Sequence, residues 1–225
     1  MKTRPAIDEI AEAIDAAMPD LDPTDQRIAA AIYRLMGSGE PVEPASVAQM
    51  ASATAERVDE RLGSWPGVYR DQQGRVVGFW GHAISKLDPE YRLLVDGKTT
   101  YTWCALDTLF IPALLGKEVR VEASDPVTGE EVLLVVDGEG AHDVKPADAV
   151  VSIVVPDGPF GYDVIERFCH RVLLFASEAT GARWTAEHEG TMLLSVEEAF
   201  ELGRRMTARI ASGLSTGKSG WSTQL

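Results

Sequence analysis

Cysteine is scarce: the 225 residues hold only Cys104 and Cys169. Two thiols build neither a disulfide framework nor a four-thiolate zinc site, and a reducing compartment would keep them reduced, so their value lies in reactivity. Positive charge is also short, with 21 Lys and Arg against 35 Asp and Glu and a formal charge of −14. Broad contact with nucleic acid or anionic lipid rests on clustered cations, so this balance argues against both partners. No apolar run nears the roughly 18 residues of a membrane span, and the acids in "MKTRPAIDEIAEAIDAAMPD" interrupt what would be the apolar centre of a secretory segment. These absences predict a cytoplasmic protein. Phosphate loops are missing too: "GSGEP" and "DGEGAHD" are glycine-bearing turns without the strand-to-helix setting and lysine that nucleotide binding needs.

What is present is an ordinary globular composition, 45% hydrophobic with a mean hydropathy near zero. Residues 1–23 carry Ile7, Ile10, Ile14 and Met18 at helical spacing, which fits either a docking helix or a frayed arm. A helix is predicted from Thr24 to about Met36, a second from Pro44 over "PASVAQMA", and a third capped by Thr54 with Val58 and Leu62 facing inward. "GVYRDQQGRVVGFWG" reads as two short strands around a turn at Asp71 to Gly74. Residues 24–81 thus have the helix, helix, helix, hairpin order of a winged helix. The third helix would be the DNA reader, but Glu56, Asp59 and Glu60 outnumber Arg57 and Arg61 there, a net repulsion toward phosphate.

The remainder, 82–210, reads as a core of mainly antiparallel strands with flanking helices, giving an α+β fold. "YRLLV" and "TTYTW" form a hairpin about Asp96, Gly97 and Lys98, and "EVRVEA", "EVLLVVD" and "AVVSIVVP" continue the strands. "ALDTLFI" is predicted as a short helix broken by Pro112 and closed at Gly116. "FCHRVLLFAS" fits a buried strand, although "YDVIERFCHRVLLF" fits a helix equally well. Ser195 and Glu198 form a capping box for a helix over Val196 to Ile210, and 211–225 read as a flexible tail.

Cys104 stands where the helix of "ALDTLFI" begins. A lone cysteine is usually an inert buried hydrophobe, but the positive end of a helix would favour thiolate. Asp107, three residues on, would share a helix face with that sulfur. It is either a first-turn acid satisfying backbone donors or a group exchanging protons with the thiol. Cys169 and His170 raise a zinc site made with Cys104 and Asp107, but on a strand adjacent side chains point to opposite faces. A disulfide between Cys104 and Cys169 is the weakest option. His82, His142 and His188 lack spaced partners and read as surface residues, and Trp103 reads as core.

Taken together, "YTWCALDTLFIPALLG", "FCHRVLLFAS", "SVEEAFELG" and the preceding winged-helix order resemble the organomercurial (alkylmercury) lyase family across roughly residues 24–205. The resemblance implies a winged-helix module packed on an antiparallel core. It also implies protonolysis of a carbon–mercury bond to a hydrocarbon and Hg(II), with Cys104 and Cys169 binding mercury and Asp107 transferring the proton. No tightly bound cofactor is implied; low-molecular-weight thiols would release the Hg(II), with hand-off to a mercuric reductase. Some relatives have a second cysteine after the strand cysteine, where this chain has His170. A winged-helix metal-responsive regulator and a passive mercury or zinc binder are the competing classes.

Overall fold

The computed structural model describes residues 5–208 and 210–211. The first helix, α1 (Ile7–Ala17), buries Ile10 and Ile14 and packs along the last helix, so the N-terminal segment is docked. Next come α2 (Pro23–Met36), α3 (Pro44–Ala51) and α4 (Ala55–Ser64). Asp22 caps α2 by accepting from the N–H groups of Thr24 and Asp25, and Thr54 caps α4 by accepting from Arg57 N–H at 3.2 Å. The hairpin of β1 (Val68–Arg70) and β2 (Val76–Phe79) completes the winged helix.

The α+β expectation holds. Beyond β2 lie β3 (His82–Ala83), β4 (Tyr91–Val95), β5 (Lys98–Thr102), the helix α5 (Ala105–Leu115), β6 (Val119–Ser124), β7 (Glu131–Val136), β8 (Ala141–Lys145) and β9 (Val150–Val154). Then follow a short helix α6 (Val164–Arg167), a 3₁₀ turn (Cys169–Arg171), β10 (Leu174–Phe175), α7 (Glu178–Glu187), β11 (Thr191–Ser195) and α8 (Val196–Met206). One antiparallel sheet has the order β1-β2-β3-β5-β4-β6-β7-β8, and a second has β10-β9-β11. The wing is therefore hydrogen-bonded straight into the larger sheet through β3.

Three local expectations need correction. Pro112 does not break α5, which runs on to Leu115. A proline there forfeits one backbone hydrogen bond, but every residue of α5 except Ala113 is buried, and that packing outweighs the loss. Cys169 lies on the 3₁₀ turn, between the short helix and the two-residue strand, because "ERFCHRVLLF" is split among three elements. His82 is fully buried inside the sheet rather than on the surface, with Nε2 2.9 Å from the Thr100 hydroxyl. His142 is exposed, and His188 is half-buried with its ring stacked on Trp184 at 3.6 Å.

Ser195 caps α8 and Glu198 reaches back to Ser195 N–H at 2.9 Å, as the capping box predicts. The helix is regular to Met206 and turns at Thr207; the predicted tail lies, from residue 212 on, outside the described residues. Among the described residues no helix is long and apolar enough to cross a membrane.

Candidate active site

Two structural elements deliver the sulfurs. Cys104 is the N-cap of α5, in extended backbone where β5 ends, and its carbonyl accepts the Thr102 hydroxyl at 3.0 Å. Cys169 opens the 3₁₀ turn. A backbone bond ties the two elements together: Ala105 N–H, in the first turn of α5, donates to the carbonyl of Val172 at 3.0 Å, just past the cysteine turn. The result is that Cys104 Sγ, Cys169 Sγ and a carboxylate oxygen of Asp107 all lie within 4.8 Å of one another.

All three groups are shielded from water, with exposures of 0% for Cys104, 4% for Cys169 and 7% for Asp107. His170 points away into solvent, so the four-residue zinc set is not assembled. The 3₁₀ turn, rather than alternation along a strand, separates the two adjacent side chains. Both cysteines are free, which removes the disulfide option.

Asp107 fills the first of the two roles its spacing allows. Its Oδ2 accepts the Cys104 N–H at 2.9 Å, as a first-turn acid should. Burial nevertheless pushes its pKa up to about 7, while the Cys104 side chain and the N–H groups of Cys104 and Trp103 pull only part of the way back.

The thiolate expected of Cys104 at a helix start is not favoured. Burial, then the hydrogen bond to Cys169 and the Asp107 charge, raise the Cys104 thiol well above its ordinary value. A helix terminus contributes only about 0.3–1 kcal/mol, too little to offset the desolvation of a fully enclosed anion. For Cys169 the hydrogen bond from Cys104 acts downward, but burial and the Asp107 charge act upward and prevail. Both sulfurs thus rest as thiols beside an acid poised between its two forms.

A cavity of about 80 Å³ opens onto Asp107 and Cys169. Its wall is largely apolar and draws on distant parts of the chain: Ile14 of α1 and Met18 just past it, Trp103, Phe110 of α5, Phe168, and Ile210. Trp103, predicted as core, is buried and also lines this space. The residues missed from sequence are those of the wing end, Trp80 and Gly81, and Tyr33 of α2. The one available signal was the Trp-Gly pair closing "VVGFWG", a glycine where the chain must reverse tightly. Such a pocket can hold a small apolar group against two soft sulfur ligands and a carboxyl whose pKa is raised to about 7.

The family model described as alkylmercury lyase matches residues 84–208, and that for the helix-turn-helix domain of alkylmercury lyase matches residues 9–80. The alkylmercury lyase of Staphylococcus epidermidis is 38% identical over 178 residues, covering 79% of this chain and 80% of that protein. That of Streptomyces lividans is 36% identical over 182 residues, covering 81% and 82%. The fold is similar to the crystal structure of the mercury-bound form of MerB2, with a TM-score of 0.69 over 91% of this chain and 98% of that one at 19% identity. A cavity built by both modules, and sequence matches that run through both, lead to one conclusion: the chain belongs to the alkylmercury lyase family.

Proposed function

We propose that this protein cleaves the carbon–mercury bond of organomercurials by protonolysis, releasing a hydrocarbon and leaving Hg(II) on Cys104 and Cys169. The observation that carries the reading is the meeting of two thiols and a carboxyl with a pKa of about 7 in one enclosed space. Mercury is soft and thiolate is the soft ligand that selects it. One cysteine displaces the thiolate or other anion accompanying R–Hg and passes its proton to that leaving group. The second cysteine gives its proton to ionised Asp107 as its sulfur joins the metal. Asp107 then delivers this proton to carbon while the carbon–mercury bond breaks with its electron pair staying on carbon. Charge and atoms balance: R–Hg–S–Cys plus Cys–SH gives R–H plus Hg(S–Cys)₂.

A carboxyl with an ordinary pKa would be almost wholly ionised at neutral pH and a poor donor to carbon. One titrating near 7 serves as acceptor and donor in turn, which typically contributes about 10² to 10⁴ in rate. No tightly bound cofactor is needed for these steps. Small thiols would strip Hg(II) from the site, with onward transfer to a mercuric reductase, and reduced cysteines suit the cytoplasm.

A DNA-binding regulator is the less favoured reading, because the cations of α4 are engaged within the protein. Arg57 and Arg61 both bind the buried carboxylate of Asp25, at 2.9 Å each, and Arg57 also binds Asp22 at 2.6 Å. The test is incubation with phenylmercuric acetate and excess thiol, followed by a benzene assay. Benzene should appear with wild type and vanish with Cys104→Ser or Cys169→Ser. A fully active single-cysteine variant would overturn the two-sulfur scheme.

A further inference from the structure

The wing of the winged helix ends in an unusual reversal. Trp80 has φ +37° and Gly81 φ +92°, two consecutive left-handed residues between β2 and β3. Gly81 lies directly on the Asp107 carboxyl: a Cβ added there would stand 2.4 Å from both Cγ and Oδ1. No side chain fits at that position, so the backbone itself seals one side of the acid against water. Left-handed backbone at a tryptophan costs about 1–3 kcal/mol and persists only where the surroundings impose it.

Those surroundings are identifiable. The Trp80 carbonyl accepts the Tyr33 hydroxyl at 2.7 Å, its indole N–H donates to the Pro66 carbonyl at 2.9 Å, and its backbone N–H donates to Gly67 at 3.2 Å. The Gly81 carbonyl accepts Trp103 N–H at 2.9 Å, which ties the reversal to the residue preceding Cys104. Tyr33 is the only one of these partners from the helical part of the N-terminal module. It is buried, packs edge-on against Phe79 at 5.1 Å and stacks over His82 at 6.4 Å. Its hydroxyl lies far from its ordinary titration range, pushed well up by burial and by the neighbouring Asp107 charge, so it is a permanent donor.

We infer that Tyr33 is a positioning residue for the lyase reaction: through its bond to the Trp80 carbonyl it clamps Gly81 against the Asp107 carboxyl and keeps water from the proton donor. The winged-helix module would then serve the chemistry from behind, as the wall of the acid's compartment. This inference deepens the proposed function and rests on it for the link to turnover, but the clamp itself is a property of the resting protein.

The test therefore follows the acid directly. Isotope-edited infrared spectroscopy of the aspartate carboxyls, with Asp107→Asn as the blank, gives the midpoint of Asp107 across the acid to neutral range. Among the described residues the ionisable groups coupled to Asp107 are Cys104, Cys169, Tyr33 and Tyr91, all raised above that window, and Asp15 lines the same cavity, its own carboxyl signal cancelled by the Asp107→Asn blank. Tyr33→Phe keeps the ring and loses only the hydroxyl. It should move the midpoint down by about one pH unit, a tenfold change in the acid-to-base ratio, and slow single-turnover benzene release by about ten- to a hundredfold.

Ser195→Ala, which removes the cap of α8 and touches none of the clamp's hydrogen bonds, is the control for loss of stability; it should leave the midpoint in place. Gly81→Ala should displace the carboxyl and stop benzene release while titration with Hg(II) still fills both sulfurs. An unmoved Asp107 midpoint in Tyr33→Phe overturns the clamp, whether or not the protein turns over organomercurials. A moved midpoint in a protein whose wild type releases no benzene upholds the clamp and rejects the lyase reading instead.

Discussion

Asp107 and Asp125 are both buried aspartates beside a strand end, and they are held in opposite protonation regimes. Asp125 is 1% exposed in the turn between β6 and β7. Burial pushes its pKa up, but the Thr180 hydroxyl at 2.7 Å and the N–H groups of Ala176, Val127 and Thr128 more than compensate, and the net direction is down. Asp107 is 7% exposed; burial outweighs the Cys104 side chain and the N–H groups of Cys104 and Trp103, and its pKa rises to about 7. A third, Asp25, meets burial with two arginines. Burial alone does not fix the protonation of an acid; the donors aimed at it decide whether it rests as an anion or keeps a proton toward neutral pH.

The sharpest way to break this contrast is to neutralise each acid in turn. Asp107→Asn keeps an oxygen for the Cys104 N–H and should lower benzene release by about 10²- to 10⁴-fold, while Hg(II) binding, followed by ultraviolet absorbance of the mercury–thiolate bonds, survives. Asp125→Asn should leave release per folded molecule unchanged. Equal losses in the two variants would show that the difference in donors carries no catalytic meaning.

Stability against pH separates them next. Asp107 has its folded pKa raised from 3.8 to about 7, so between those values the folded chain holds a proton that the unfolded chain has lost. Stability from this group is complete below 3.8 and drains away as pH rises toward 7, in total on the order of 4 kcal/mol. Urea titrations at stepped pH should show that decline in wild type and a flatter profile in Asp107→Asn. Asp125 works the other way, since its depressed pKa gives stability that is present above 3.8 and lost as pH falls through the folded value.

A smaller effect probes the donors themselves. Thr180→Val removes one of four hydrogen bonds to Asp125 and should cost about 1–3 kcal/mol, moving the acid-unfolding midpoint to higher pH without changing benzene release. Thr54→Ala, at the cap of α4, should cost about 1 kcal/mol and alter neither acid.

Much of the scaffold is legible in the sequence because its signals are local. Thr54 and Ser195 announce helix starts through their own side chains, and Asp96 and Gly97 announce a hairpin because both residues must take positive φ. Cys104 and Asp107 share a helix start three residues apart, so their proximity is written in the spacing. Cys169 is different: its segment passes from helix to 3₁₀ turn to strand within a dozen residues, and no periodicity survives such changes. His82 was misplaced for a related reason, since a two-residue strand is too short to show that it lies in the middle of a sheet.

By itself, then, the sequence determined the capped helices, the hairpins, the acid three residues after the thiol, and the family resemblance borne by those motifs, because each depends on neighbours along the chain. The tertiary structure alone decided that the second sulfur arrives beside the first, that Gly81 of the wing presses on the carboxyl, and that Asp107 rather than Asp125 is left short of donors. Those outcomes depend on groups brought from far along the chain into a space closed to water. In such a space the balance between desolvation and hydrogen bonding sets which form of an acid prevails.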